Sequence, residues 1–173
     1  MMNHLRFPIG QHQNPTTLNW DLIQTQIGEI AALPTQFRVV AESLTEEQLE
    51  TPYRPNGWTA RQVIHHVPDS HINSYIRFRW ALTEDEPTIK AYDEVTWAEL
   101  PDAKAAPIHL SLNLLDTVHA RWVRLLQSMT ESDFQRALIH PAGGKMYLYE
   151  MVSSYAWHGK HHLGHLKLVT NNE

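Results

Sequence analysis

Apolar residues recur along this chain at intervals of three and four, the spacing that sets them on one face of an α-helix. From about Leu18 to Leu44, Trp20, Ile23, Ile27 and Ile30 keep that interval, and Pro34 is expected to break or bend the helix they predict. A second run extends from about Ala60 to Leu82 behind Thr59, a side chain suited to capping a helix N-terminus. A third, about Ile108 to Met129, carries Leu110, Leu114, Val118, Trp122 and Leu125 as its expected apolar face. A fourth runs from about Leu148 to Thr170.

The connections between these runs also carry local signals. Residues 1–16 are polar, contain Pro8 and Pro15, and read as an irregular arm. Thr45 and Gln48 are spaced as a capping box and predict a short helix, followed by "TPYRPNGW" as a loop. Residues 85–107 hold three prolines and predict an excursion with at most a short helix around 93–99. Thr130 and Asp133 suggest another capped turn, and "ALIHPAGGKMYLY" a small hairpin about Gly143–Gly144. Strand and helix do not alternate as a parallel sheet requires. The pattern predicts a single all-α domain, a four-helix bundle with a small hairpin before the last helix.

Composition narrows the function. The chain has 173 residues, 42% of them hydrophobic, enough for one packed core. A net charge of −5 and no basic stripe argue against nucleic acid. No 18-residue apolar stretch predicts a membrane span, and "MMNHLRFPIG" lacks a secretory signal pattern, so a cytoplasmic location is expected. There are no cysteines, so a bound metal would have to be held by histidine or carboxylate.

That restriction draws attention to "AWHGKHHLGHLKL", with four histidines at 158, 161, 162 and 165. On a helix they span an arc of roughly 100°. A solvated stripe or a local pH-sensitive patch would be the plainer readings. A metal site would use a pair four apart, His158/His162 or His161/His165, and spacing does not choose between them. The pattern is not HExxH, because Gly159 follows His158 and no Glu precedes the second His of either pair. On the second run, "RQVIHHVPDSHINSYIRF" sets Gln62, Asp69, Ser70, Asn73 and Arg77 within about one face of His66. Bundles build metal sites from such inward faces on facing helices. Pro68 lies inside this run and could re-aim His66.

At these residues the chain resembles the YfiT branch of the DinB-like metalloenzymes. The likeness is carried by "NGWTARQVIHHVPDSHINSYIRFRWALTEDEPTIKAYDE" and "WHGKHHLGHL" and covers nearly the whole chain. It implies a four-helix bundle of DinB type, a cytoplasmic homodimer, and one divalent metal per chain held by His66, His158 and His162. Zn²⁺ is the expected metal, with Ni²⁺ or Mn²⁺ able to use the same ligands. His65, His161 and His165 become candidates for supporting the ligands or meeting substrate. Asp69 is a candidate acid/base or ligand partner. Asn73 and Arg77 are pocket candidates, with a structural ion pair the plainer role for Arg77. Trp58 and Trp157 read as core or pocket wall, and Asn113, Asp116 and His119 as polar surface.

The expected function is metal-dependent hydrolysis of a small electrophilic substrate. The alternatives are transfer of a low-molecular-weight thiol of bacillithiol type at the same metal, and a non-catalytic metal-binding bundle.

Overall fold

The computed structural model describes residues 3–170. In chain order the elements are α1 (Asn3–Arg6), α2 (Trp20–Glu42), α3 (Glu46–Leu49), α4 (Ala60–Thr83), α5 (Glu94–Ala98), α6 (Pro101–Ala105), α7 (Ile108–Ser128), α8 (Glu131–Phe134), β1 (Ala137–His140), β2 (Gly144–Tyr147) and α9 (Leu148–Thr170). The long helices α2, α4, α7 and α9 form the four-helix bundle. In it α2 lies against α7 and α9, and α4 lies against the same two. The strands pair antiparallel from Ala137 opposite Tyr147 to His140 opposite Gly144, whose φ of 71° suits a glycine in the tight turn.

Local chemistry accounts for most element boundaries. Thr45, Thr59 and Thr130 each close a capping box, with Gln48, Gln62 and Asp133 as the reciprocating side chains. Asn19 and Asp93 cap α2 and α5 through their side chains. Pro101 opens α6, where its missing N–H costs nothing.

Five expectations need correction. The N-terminal arm contains a helical turn, Asn3–Arg6. The 85–107 excursion holds two short helices rather than one at most. On α7 the apolar face is turned from the one expected: Leu112, Leu115, Val118, Trp122 and Leu126 are buried, while Leu110 and Leu114 are exposed. His119, expected at the surface, is only 2% exposed because it falls on that buried face. Finally, Pro34 does not break the helix: α2 continues through it, just as α4 continues through Pro68. A proline inside a helix leaves the carbonyl four residues earlier without its donor. For Pro34 that carbonyl belongs to Ile30.

The apolar core falls into two clusters stacked along the bundle. One contains Ile23, Ile27, Ile30, Phe78, Trp122 and Met151. The other contains Leu33, Phe37, Ile64, Leu112, Leu115 and Leu166. On each helix the change from one cluster to the other falls at the same level: after Ile30 on α2, between Val67 and Tyr75 on α4, between Leu115 and Val118 on α7, and between Ala156 and Leu163 on α9. His71, His158, His161 and His162 lie within those intervals and His119 beside one. The bundle thus carries a histidine layer between two apolar halves.

At this level α9 packs closely on α2. A Cβ added to Gly159 would overlap Leu33 Cδ2 and sit 3.1 Å from Leu33 Cγ. We therefore expect Gly159→Ala to destabilise the chain by about 1–3 kcal/mol, despite alanine's better helix propensity. Combining it with Leu33→Ala should cost less than the sum of the two single changes. Thermal unfolding of the three variants tests this, and additive losses would show that the two residues do not compete for space.

Candidate metal centre

His66 comes from α4, and His158 and His162 come from successive turns of α9. One ring nitrogen from each lies within 4.8 Å of the other two. The Nε2 atoms of His66 and His158 are 3.3 Å apart. A second group, His161, His162 and His165, meets the same distance limit and shares His162. The geometry therefore leaves two candidate ligand sets, as spacing did.

Protonation helps to separate them. Burial, followed by the neighbouring histidines, holds His71, His158 and His162 well below the usual imidazole pKa. The same two causes push His66 and His161 down to about 4. Burial pushes His119 and His165 down to about 4 as well, against the raising effect of backbone carbonyls. Near neutral pH these rings are uncharged, so each carries one N–H and one lone pair.

The hydrogen bonds then fix which nitrogen holds which. His119 Nδ1 is 2.8 Å from the Ile30 carbonyl oxygen, which can only accept, so this nitrogen carries the hydrogen. Its Nε2 is then an acceptor, and His71 Nδ1, 2.8 Å away, donates to it. His71 Nε2 is left as an acceptor and takes a hydrogen from His158 Nδ1 at 3.1 Å. His158 Nε2 consequently keeps its lone pair, facing His66. The terminal acceptor is the carbonyl that Pro34 releases from the α2 helix. Pro34, His119 and His71 together set the tautomer of His158.

His162 is held in a similar way. His165 Nε2 donates to the Arg6 carbonyl at 3.2 Å, so its Nδ1 accepts from His162 Nδ1 at 3.3 Å. His162 Nε2 is therefore the lone-pair nitrogen. Tyr53 stacks on the His165 ring at 3.8 Å and fixes its plane. In the second candidate set, His162 Nδ1 and His165 Nδ1 are engaged with each other and His165 Nε2 with Arg6. His161 Nδ1 is buried without a partner among the described residues. The set His66, His158 and His162 offers two lone pairs already fixed, on His158 and His162, with His66 Nε2 turned toward the first of them. Three neutral imidazole donors suit a divalent cation of Zn²⁺ type.

A cleft of about 560 Å³ reaches these three rings, lined also by Trp58, Ser70, Arg77, Tyr92, Glu94 and His161. Trp58 packs against His66 at 4.8 Å and Trp157 stacks on His161 at 4.3 Å, so both form wall. Among the supporting residues named from sequence, Arg77 and His161 reach the cleft and His165 lies behind His162. His65 turns away, donating to the Ala106 carbonyl while accepting from Ser111. Asn73 bonds back to the Asp69 carbonyl, and neither residue lines the cleft. Burial and then the Asp102 carboxylate raise Asp69 to about 6.

Glu94 and Tyr92 were missed from sequence, because the proline-rich excursion gives no periodicity by which to place a side chain. Burial pushes the Tyr92 hydroxyl up to about 12, so it stays protonated as a donor. His71 was passed over because it lies off the His66 face.

Comparison with known proteins agrees with this architecture. Residues 29–166 match the family model of the DinB superfamily. A Bacillus cereus (strain B4264) protein named "Putative metal-dependent hydrolase" is 50% identical over 165 residues, covering 95% of each sequence. A Bacillus anthracis (strain CDC 684) protein of the same name is 49% identical over the same share. The structure of YfiT from Bacillus subtilis, described as a probable metal-dependent hydrolase with an unusual four-helix bundle topology, matches with a TM-score of 0.94 at 39% identity over 96% of both chains. A mycothiol-dependent maleylpyruvate isomerase variant shares the fold, with a TM-score of 0.62 at 16% identity over 80% of this chain and 60% of its own. The chain belongs to the DinB superfamily.

If the imidazole file sets the His158 tautomer, His71→Leu should weaken divalent-metal binding by about 10–100-fold, the usual scale for loss of a ligand's hydrogen-bond partner. His71→Gln, whose amide oxygen can still accept from His158, should recover part of that loss. Zinc titration of the folded variants provides the check. Equal affinity in wild type and His71→Leu would show that the file does not act on the metal site.

Proposed function

We propose that this member of the DinB superfamily is a metal-dependent hydrolase in which His66, His158 and His162 hold one divalent cation, most naturally Zn²⁺. The observation that carries this reading is the paired anchoring of His158 and His162, each donating through Nδ1 and keeping Nε2 for coordination. The hydrolase names of relatives at about half identity support the reaction class. A bound divalent cation there supplies Lewis acidity, polarising an electrophile and easing the ionisation of water.

The chain's own groups do the rest. His158 and His162 are held rigidly by their outer partners, so they need no reorganisation as charge develops. The three histidines would hold the cation where the cleft reaches them, so that a substrate in the cleft could approach it. Trp58 and Tyr155 wall that side and limit access of bulk water. Glu94, exposed at the cleft, is placed to carry a proton between the site and solvent. Tyr92 stays protonated and can donate to a substrate oxygen. The substrate is a small molecule, and a low-molecular-weight thiol would have to be supplied from outside, since the chain has no cysteine. The family resemblance adds a homodimeric state and a cytoplasmic location to this reading.

Purified untagged protein should contain about one divalent metal per chain, and His66→Ala, His158→Ala and His162→Ala should each lose most of it. Turnover of an activated ester should disappear with the metal and proceed without added thiol. Undiminished metal in all three variants would refute the site. Turnover that requires an added small thiol would replace hydrolysis with thiol transfer.

A further inference from the structure

Two arginines on α4 are equally buried, each 8% exposed, but their surroundings differ sharply. Arg61 bonds Glu46 and Glu50 at 2.7 and 2.6 Å and also the Ala106 carbonyl. A buried guanidinium normally has such carboxylate partners, because removing its charge from water is costly. Arg77 has none: among the described residues no carboxylate lies within ion-pair distance. Its recorded side-chain hydrogen bond is a 3.4 Å contact from Nη2 to the Lys90 carbonyl, and its Nε is buried with no partner.

The position of Arg77 explains what that missing partner would be. Arg77, His140, Ala142, Tyr155 and His158 line the metal-side cleft and also a second cavity of about 420 Å³. The second cavity continues past His158 and is walled by Leu138, Met146 and Met151. A guanidinium therefore stands where an imidazole site meets an apolar chamber. Glu94, the carboxylate in this lining, is exposed and outside ion-pair distance of Arg77.

We propose that Arg77 anchors the carboxylate of a small, singly charged substrate whose apolar body fills the chamber beside Leu138, Met146 and Met151. A planar carboxylate matches the guanidinium fork, and the unpartnered Nε is one of the donors it would engage. One cation in a mostly apolar wall, with His140, Ser154, Tyr155 and His158 its other polar members, suits a single negative charge on a hydrocarbon body better than a multiply charged polar ligand. The inference names the substrate class of the site proposed above and rests on that reading for the reaction, although binding to Arg77 does not require the metal.

Calorimetric titration of zinc-loaded and of metal-free protein with hexanoate and with hexanamide tests the proposal. Hexanoate should bind at least about tenfold more tightly than its neutral amide in both forms. Arg77→Met should abolish that preference while leaving hexanamide affinity unchanged, and Arg77→Lys should retain part of it. A folded Arg77→Met that keeps the preference, or a wild type with no preference in the metal-free form, overturns the proposal. If Arg77→Met fails to fold, the acid-against-amide comparison in metal-free wild type still decides. Hexanoate preference without any zinc uptake would sink the metalloenzyme reading and leave this one standing. Zinc uptake without the preference would do the reverse.

Discussion

The carbonyl of Ile30 lacks its usual helical donor, because the residue four positions on is Pro34. A buried carbonyl left unpaired costs about 1–3 kcal/mol, so something must bond it. His119 does, through Nδ1 at 2.8 Å. The assignments along the file from His119 through His71 to His158 depend on this contact. An oxygen that can only accept forces the hydrogen onto His119 Nδ1, and neutrality carries the consequence through His71 to His158. The lone-pair nitrogen of His158 is thus decided by a proline on a different helix.

The same constraint explains a bundle core interrupted by imidazoles. Two apolar clusters enclose the histidine layer from either end. They remove it from water, which keeps the rings neutral and gives their hydrogen bonds a single arrangement. Each file ends on a backbone carbonyl, Ile30 for one and Arg6 for the other. A buried polar network satisfied in this way specifies orientation without leaving a charge inside. The cleft is the exception: there Arg77 is charged and buried, and His161 Nδ1 has no partner. These two groups both border the cleft that reaches His66, His158 and His162.

Much of this was legible in sequence. The four helices follow from period and caps, both local signals, and Thr45, Thr59 and Thr130 close their boxes as their spacing suggests. The hairpin at Gly143–Gly144 was readable for the same reason. Rotation about a helix axis was less secure. On α7, Leu110 and Leu114 read as core and are exposed, whereas His119 read as surface and is buried. A mixed stripe admits two faces, and only the packing of α2, α4 and α9 selects one. The role of Pro34 was hidden because a released carbonyl gains meaning only from a donor 89 positions away in sequence. Glu94 and Tyr92 reach the cleft from a segment without periodicity, so no helical wheel could place them.

The most direct test is the location of the metal itself. Anomalous diffraction at the zinc edge, on crystals of zinc-loaded protein, should give one peak within bonding distance of Nε2 of His66, His158 and His162, about 2.0–2.1 Å for a zinc–imidazole bond. His158 Nδ1 should remain on His71. A peak among His161, His162 and His165, or one reached by a flipped His158 with Nδ1 toward the metal, would contradict the account.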